Sequence, residues 1–303
     1  MVRIDSFAVM MEQARSLGPL PVAVAAADET ETLASLVEAQ AEGIITPVLV
    51  GNTPATEAIA AREGFDLSGM TLIHEPDYVA AARKTVALVR EGTAAIVVKG
   101  QTKTADLLKA VLDRETGLRD RGLLCHVAVF ETAVCDRLLY ISDSGVVPQP
   151  TWEQKLQIID AAVDVAHRFG VEQPKVAILG ANERVDPAMP VGLESLMVAR
   201  LAQERWGERA IVEGPMALDL ALRPDVAAKE GVRSAVAGAA DILIVPGVES
   251  GNIMCKGMQY FAGAKLAAVI VGARAPVLIP SRADDAETRL HCMAMAVVWA
   301  GTR

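Results

Sequence analysis

The stretch Asp241-Ile-Leu-Ile-Val-Pro-Gly-Val-Glu-Ser-Gly-Asn-Ile-Met254 decides the fold. Its apolar run, 242–245, stops at Pro246, and a short apolar run bounded by proline and glycine is typical of a buried parallel strand. A polar segment with a glycine, 249–252, follows, and residues 253–265 are predicted to form a helix. Open α/β sheets bind ligands where the carboxyl end of a strand turns into a helix. The stretch therefore predicts an α/β fold with a ligand-binding turn at 249–252.

A second strand end of this kind closes the apolar run 275–280. It continues into Ser281 and Arg282, and the acids that open the next helix are Asp284, Asp285 and Glu287. An arginine fork binds phosphate through two hydrogen bonds, and a serine hydroxyl can donate to a developing oxyanion. The same residues also fit a helix N-cap serine beside a surface arginine. The acids fit the first turn of a helix, or one of them is a general base.

A third strand-to-helix turn reads Lys99-Gly-Gln-Thr-Lys-Thr104. Backbone N–H groups and lysine together can hold a phosphate group. The turn lacks the GxxxxGK[ST] pattern of a P-loop, and no GxGxxG stands between a predicted strand and a helix. Phosphate binding and a solvated helix cap both remain open at this turn.

Composition and net charge limit the classes of function that the protein can have. The chain is 52% hydrophobic but only 4% aromatic, and aliphatic residues are typical of buried parallel strands. A net charge of -9 argues against generic binding to nucleic acid or to an anionic membrane. Only local basic clusters are then available to hold phosphate.

Short aliphatic strands alternate with amphipathic helices along nearly the whole chain, which predicts parallel sheets with helices on both faces. The 303 residues reach the size of about 250–300 residues at which single cores stop growing. A stretch rich in proline, glycine and serine, 142–150, marks a boundary. The sequence therefore predicts two doubly wound α/β domains.

The cysteines and the N-terminus indicate a reducing compartment. The four cysteines form no CxxC pair, the N-terminus shows no signal-peptide pattern, and no apolar run reaches about 18 residues. We therefore expect a cytoplasmic protein. The four histidines show no metal-ligand spacing, so no metal site is predicted. Cys255 follows the 249–252 segment and fits a buried structural cysteine better than a nucleophile, because no histidine lies near it in sequence.

Together these motifs resemble the phosphate acetyltransferase/phosphate butyryltransferase family. The resemblance covers nearly the whole chain and is strongest from 214 to 289. Its strongest motifs are Gly214-Pro215, Asp219-Leu-Ala221, Ser234-Ala-Val-Ala-Gly-Ala-Ala-Asp241, Gly251-Asn252 with Lys256, and Pro280-Ser-Arg-Ala-Asp284. Earlier matches are Val98-Lys-Gly100 with Thr104, Gly117-Leu-Arg119, His126-Val-Ala-Val-Phe-Glu131 and Asn182-Glu-Arg-Val-Asp-Pro-Ala-Met-Pro190. The 98–131 and 182–190 segments favour the butyryl branch.

The resemblance implies reversible transfer of a short acyl group, butyryl or acetyl, between coenzyme A and inorganic phosphate. It implies direct attack of the thiolate in a ternary complex, with coenzyme A as a substrate and no cofactor. It also implies two domains of the isocitrate/isopropylmalate dehydrogenase-like kind, with the site in the cleft between them. The first would comprise 1–146 with 279–303 and the second 147–278. A homodimer without nucleic-acid or membrane partners is the expected assembly.

The resemblance also assigns site residues. The expected catalytic residues are Ser281, Arg282 and Asp284. The expected substrate-binding residues are Lys99, Gly100, Thr104, Glu249, Ser250, Gly251, Asn252 and Lys256. Arg282 would bind the phosphoryl group, and Ser281 would hydrogen-bond the reacting carbonyl or thiol. Holding both substrates in attack geometry would supply much of the rate.

One position departs from the acetyl branch. That branch has an aspartate, its proposed base, seven positions beyond the serine, where this chain has Thr288. A threonine does not accept a proton at neutral pH as a carboxylate does. Either a nearby acid replaces it, Asp284 first and then Asp285 or Glu287, or coenzyme A arrives as a thiolate with help from Arg282.

Two other functions stay open on the sequence. One is a non-catalytic protein that binds coenzyme A or an acyl phosphate, which Thr288 motivates. The other is a metal-assisted, NAD-dependent dehydrogenase of the same architecture, which needs a cluster of aspartate or histidine ligands. No such cluster can be assembled from the sequence.

Overall fold

The computed structural model describes residues 2–120, 122–186 and 188–302. Pro187, part of one motif behind the family resemblance, lies outside the described residues. The chain groups into two compact units. The terminal unit comprises Phe7–Gly122 and Ala267–Arg303, and the middle unit comprises Met1–Ser6 and Leu123–Leu266. The division into folding domains expected from the sequence, 1–146 with 279–303 and 147–278, stays a prediction.

Helices and strands alternate through the described residues, as the sequence predicts. The helices are α1 Phe7–Leu17, α2 Thr30–Ala41, α3 Thr53–Glu63, α4 Tyr78–Arg90, α5 Thr104–Val111, α6 Trp152–Arg168, α7 Pro190–Trp206, α8 Leu218–Leu222, α9 Pro224–Lys229, α10 Val248–Ala262 and α11 Ala286–Gly301. The strands are β1 Leu20–Ala25, β2 Ile45–Gly51, β3 Thr71–His74, β4 Ile96–Lys99, β5 Cys125–Glu131, β6 Leu139–Ser142, β7 Lys175–Leu179, β8 Ile211–Met216, β9 Ile242–Ile244, β10 Lys265–Val271 and β11 Val277–Leu278. No helix in these described ranges is long and apolar enough to cross a membrane.

The terminal unit contains strands in the order β3-β2-β1-β4-β11-β10. The strands from β3 to β11 are parallel, and β10 runs antiparallel to β11. Strand β1 pairs with β2 on one side and with β4 on the other, so the direction of winding reverses between β1 and β4. In open α/β sheets such a reversal creates a crevice outside the carboxyl ends of the strands.

The aliphatic composition of these strands explains why the sheet forms. Residues 22–25 of β1 and 96–98 of β4 are buried, as expected for strands covered on both faces. Helix α4 packs on β1 and on α5, and α11 packs on α1 and α2. This arrangement confirms the α/β fold class with mostly parallel strands.

The middle unit contains strands in the order β5-β6-β9-β7-β8. Strands β5 and β6 are antiparallel neighbours, whereas β6, β9, β7 and β8 are parallel. The fully buried β9 lies between β6 and β7, which confirms the buried strand that the 242–245 run predicts. Helix α6 packs on β5, β6 and β9, and α7 packs on β7 and β8.

The start of α10 corrects a sequence prediction. We expected a turn at 249–252 and a helix over 253–265, but the helix begins at Val248 and ends at Ala262. Glu249, Ser250, Gly251 and Asn252 therefore lie in its first turns. The Ser250 hydroxyl donates to the Gly247 carbonyl at 2.7 Å and accepts from the Gly247 N–H at 3.4 Å. This capping satisfies end groups of the helix, so it starts earlier than the glycine pattern indicates.

Strand β8 extends further than predicted. The short apolar run 210–212, followed by Gly214-Pro215, predicts a strand that ends before the proline, but β8 runs through both residues to Met216. Proline lacks an N–H and is tolerated where a strand has one edge unpaired. Strand β8 is the last in the strand order and pairs with β7, so Pro215 costs it no hydrogen bond to a further strand.

Candidate active site

An open pocket of about 330 Å³ lies in the terminal unit, at the carboxyl ends of β1, β4 and β11. The described residues that line it are Glu29, Glu31, Lys99, Gly100, Gln101, Pro280, Arg282 and Arg289. Ala25 and Lys99 are register partners at the ends of β1 and β4, which brings two of the strand ends side by side. The pocket therefore occupies the crevice that the reversal of winding creates.

Gly100 allows the loops after β1 and β4 to meet. The N–H groups of Gly100 and Gln101 donate to the carbonyls of Ala25 and Ala26 at 2.8 and 2.7 Å. A Cβ atom on residue 100 would lie 2.1 Å from the Ala26 carbonyl oxygen. Only glycine fits this approach, so Gly100 shapes the pocket through its backbone.

Lys99 is a half-buried cation of the pocket. Its Nζ donates to the Gly100 carbonyl at 2.9 Å. Burial lowers the pKa of Lys99, the charge of Glu29 opposes that shift, and the charges of Arg282 and Arg289 add to it. An anion in this pocket would relieve the repulsion between these cations.

The loop after β11 carries the predicted catalytic residues. The Ser281 N–H donates to Asp284 Oδ2 at 2.7 Å, which closes a tight turn around Arg282. Arg289 supports the turn by donating to the carbonyls of Asp284 and Ser281 at 3.3 and 3.5 Å. Arg282 is exposed, and its guanidinium makes no hydrogen bond or ion pair with another described residue. Its donors are therefore available to a ligand in the pocket.

The acids at the start of α11 have different surroundings. Asp285 is the N-cap, and its carboxylate accepts the Thr288 N–H at 2.8 Å. Hydrogen bonds from Thr288 hold the pKa of Asp285 below its usual range. Thr288 itself is buried in the helix. Glu287 is exposed in the first turn, as the sequence predicts for an acid at a helix start.

The remaining predicted binding residue of this unit is Thr104. It is the first residue of α5 and is exposed. It is not among the described residues that line the pocket. The structure thus brings together Lys99, Gly100 and Arg282 in one pocket, with Ser281 and Asp284 in the turn around Arg282.

The other predicted binding residues lie on α10 in the middle unit. Gly251 is buried, and a Cβ there would lie 2.8 Å from the Asp143 carbonyl oxygen, so glycine lets α10 approach the loop after β6. Glu249, Asn252 and Lys256 are exposed, and their side chains make no hydrogen bond or ion pair within the described ranges. These three side chains are available to a ligand.

The loop after β6 is held by its own polar groups. Asp143 accepts N–H groups from His126 at 2.9 Å and from Gly145 and Val146 at 2.7 Å each. His126 Nδ1 lies 2.8 Å from Ser144 Oγ, and Ser144 hydrogen-bonds the buried Cys255. Burial raises the pKa of Cys255 to about 11, so its thiol stays protonated at neutral pH.

Sequence reasoning missed Glu29, Glu31, Gln101 and Arg289 as pocket residues. Glu29 lies four positions beyond the end of β1, where an acid is also typical of a helix start. The useful signal was its position after the central parallel strand, where α/β sheets place ligand contacts.

Comparison with known proteins identifies the family. Residues 78–297 match the family described as phosphate acetyl/butaryl transferase. The chain belongs to this family. It is 38% identical to the phosphate butyryltransferase of Clostridium acetobutylicum, over 99% of this chain and 100% of that protein. It is also 38% identical to the phosphate acetyltransferase of Thermotoga maritima, over 96% of this chain and 98% of that protein.

A solved structure agrees with these relatives. The crystal structure of a branched-chain phosphotransacylase from Enterococcus faecalis V583 has a TM-score of 0.79 and 28% identity, and the match covers 93% of this chain and 99% of that one. The family and the acyltransferase class predicted from the sequence are confirmed. The sequence identity to the butyryltransferase and to the acetyltransferase is the same, so it does not show which acyl chain this enzyme transfers.

Proposed function

We propose that this enzyme catalyses the reaction acyl-CoA + phosphate ⇌ acyl phosphate + CoA for a short acyl chain, with butyryl favoured over acetyl. The observation that carries the proposal is the pocket at the ends of β1, β4 and β11. It gathers Lys99, Arg282 and Arg289 in a chain of net charge -9. Cations gathered in an acidic protein indicate an anionic substrate, and arginine forks suit phosphate.

In this proposal Arg282 binds the phosphoryl group and Ser281 hydrogen-bonds the reacting carbonyl. The unpaired guanidinium of Arg282 supports its role, because none of its donors is occupied by the protein. Lys99 and the backbone of Gly100 complete the phosphate subsite. In the direction that consumes acyl phosphate, a sulfur–carbon bond forms as the carbon–oxygen bond to phosphate breaks, without an acyl-enzyme.

Asp284 stays in the proposed site because its carboxylate holds the turn that presents Ser281 and Arg282. We propose that Thr104 and the α10 residues Glu249, Ser250, Gly251, Asn252 and Lys256 contribute to binding coenzyme A. The exposed side chains of Glu249, Asn252 and Lys256 support this. The interdomain cleft, the domain division and the isocitrate/isopropylmalate dehydrogenase-like arrangement stay predictions.

We propose that coenzyme A is a substrate and that the reaction needs no cofactor or metal. We place the enzyme in the cytoplasm, which the free state of all four cysteines supports. Its partners are then small molecules and a second copy of the chain.

A homodimer is supported by an apolar face on α7. Its large apolar side chains remain exposed: Val191, Leu193, Leu196, Met197 and Leu201. Exposed apolar patches on a helix are typical of protein interfaces. Sedimentation of the purified enzyme should give twice the chain mass, and Leu196→Glu should shift it toward the monomer. A wild-type protein that sediments as a monomer at micromolar concentration would contradict this assembly.

The function is tested by release of free thiol from acetyl-, propionyl- and butyryl-CoA on addition of phosphate, without metal or NAD. Phosphate-dependent release that is fastest with butyryl-CoA is the expected result. Binding of coenzyme A without turnover would favour the non-catalytic alternative. Activity that appears only with NAD and a divalent metal would favour the dehydrogenase.

A further inference from the structure

Glu29 is a carboxylate of the pocket that lies outside the proposed phosphate subsite of Lys99, Gly100 and Arg282. It is the N-cap residue of α2, lies half-buried, and lines the pocket with Lys99 and Arg282. The Thr32 hydroxyl donates to Glu29 Oε2 at 2.6 Å. The second oxygen, Oε1, accepts no hydrogen bond from any described residue. One oxygen is thus oriented by the protein while the other remains available to a ligand.

The other acids near the pocket are engaged elsewhere. Asp284 Oδ2 accepts the Ser281 N–H at 2.7 Å, and Asp285 caps α11 through the Thr288 N–H. Within the described part of the chain, the carboxylates that line the pocket are Glu29 and Glu31. Glu31 is exposed in the first turn of α2, whereas Glu29 is half-buried beside Lys99.

We propose that Glu29, rather than Asp284, is the general base that accepts the thiol proton of coenzyme A. This inference rests on the phosphate acyltransferase function proposed above. In the direction that consumes acyl phosphate, the thiol proton passes to Glu29 Oε1 and the sulfur attacks the carbonyl carbon. The carbon–sulfur bond forms, the carbon–oxygen bond breaks, and phosphate leaves with that electron pair. Glu29 then returns the proton to solvent or to the departing phosphate.

The surroundings of Glu29 suit this role. The Thr32 side chain that orients it is itself buried, at 3% exposure, so the carboxylate is held in a defined direction. Lys99 and Arg282 lie in the same pocket and place the phosphate near the carboxylate. The base and the phosphate subsite are then parts of one pocket at the strand ends. Glu29 thus supplies a carboxylate that can accept a proton, which the side chain of Thr288 cannot do.

The test compares Glu29→Gln with Glu38→Gln, the same change at an exposed glutamate of α2 outside the described pocket lining. The rate with saturating acyl phosphate and coenzyme A is measured from pH 6 to pH 10. Glutamine keeps an acceptor for Thr32 but does not accept a proton. Loss of a general base should lower kcat by about 10²–10⁴-fold near pH 7. The rate of Glu29→Gln should then climb toward wild type as pH rises, because free thiols ionise near pH 8.5. Glu38→Gln should stay within about threefold of wild type.

Several outcomes would overturn the proposal. A Glu29→Gln rate close to wild type at pH 7 would do so, and so would a loss that is equally large at every pH. Recovery at high pH for Asp284→Asn, but not for Glu29→Gln, would restore Asp284 as the base. The unfolding midpoints of Glu29→Gln and Asp284→Asn identify a loss of rate that is only structural. In that case Glu29→Asp, which keeps a carboxylate, is compared with the wild type over the same pH range. A wild-type enzyme without phosphate-dependent thiol release would instead reject the proposed function before any variant is compared.

Discussion

The strand-to-helix junction after β9 and the junctions after β4 and β11 have similar polar sequences and different structures. After β9, the Ser250 side chain caps its own helix, and the neighbouring Asp143 binds N–H groups of its own loop. After β4 and β11, Lys99 and Arg282 lie in one pocket, and Arg282 has no partner among the described residues. The polar, glycine-bearing segment after β9 therefore first serves to cap and pack its own helix. What distinguishes the pocket is that it gathers three cations, Lys99, Arg282 and Arg289.

Among the variants that compare these junctions, Arg282→Ala should have the largest effect, because it removes the guanidinium that no described residue neutralises. We expect kcat/KM to fall by about 10²–10³-fold, in the range of about 2.7–4 kcal/mol found for a transition-state donor. The measurement is phosphate-dependent thiol release at fixed pH. The matched control is Arg274→Ala, an exposed arginine of the same unit outside the described pocket lining. Equal losses in the two variants would contradict the special role of the pocket cations.

The second comparison uses the two glycines at which backbones approach closely. A Cβ on residue 100 would lie 2.1 Å from the Ala26 carbonyl oxygen, whereas one on residue 251 would lie 2.8 Å from that of Asp143. We expect Gly100→Ala to lower the free energy of unfolding by about 1–3 kcal/mol, the usual cost of overpacking. Gly251→Ala should cost less, because its contact is less severe. Denaturant unfolding of both variants gives the two values, and the reverse order would show that the loops after β1 and β4 adjust more easily than α10.

The sequence predicted most of the fold because its signals were local. The buried strand β9 follows from an aliphatic run that proline ends, and the mostly parallel strands follow from the alternation of short aliphatic strands with amphipathic helices. The start of α10 was missed because Gly251 was interpreted as a turn residue. Its real constraint is contact with Asp143 and Ser144, more than one hundred residues away in sequence.

The candidate site was predictable only in part, because it also depends on contacts between residues that are far apart in sequence. Ser281, Arg282 and Lys99 stood out because polar residues directly follow apolar runs. Glu29 did not, because its position beside Lys99 depends on the pairing of β1 with β4. The engagement of Asp284 with the Ser281 N–H was equally invisible, since the sequence gives the residue types but not which oxygen is occupied.

The pH dependence of phosphate affinity tests Lys99. Burial lowers its pKa, so the protonated form that attracts phosphate is lost at a lower pH than for an ordinary lysine, whose pKa is about 10.4. KM for phosphate should therefore rise with pH in the range just below that value. Lys99→Met should raise KM by about tenfold and remove this rise.

Lys99→Arg is the control for Lys99, because arginine keeps its charge throughout this range. The measurements are made above the second ionisation of phosphate, so that the ligand does not itself change charge. A rise in KM that persists unchanged in Lys99→Met would assign the titration to another group.

The smallest effect is expected at Cys255 in the middle unit, and it separates the junction after β9 from the cationic pocket most directly. Because burial raises its pKa to about 11, the thiol is protonated at neutral pH and is a poor nucleophile. Cys255→Ser retains a group that can hydrogen-bond Ser144, so kcat should stay within about twofold of wild type. Mass spectrometry of the enzyme quenched during turnover should find no acyl group on this residue. A covalent acyl group on Cys255 requires its thiolate, which burial disfavours. A large loss of activity in Cys255→Ser, together with an acylated Cys255 in the wild type, would therefore place the chemistry at the β9–α10 junction and not in the cationic pocket.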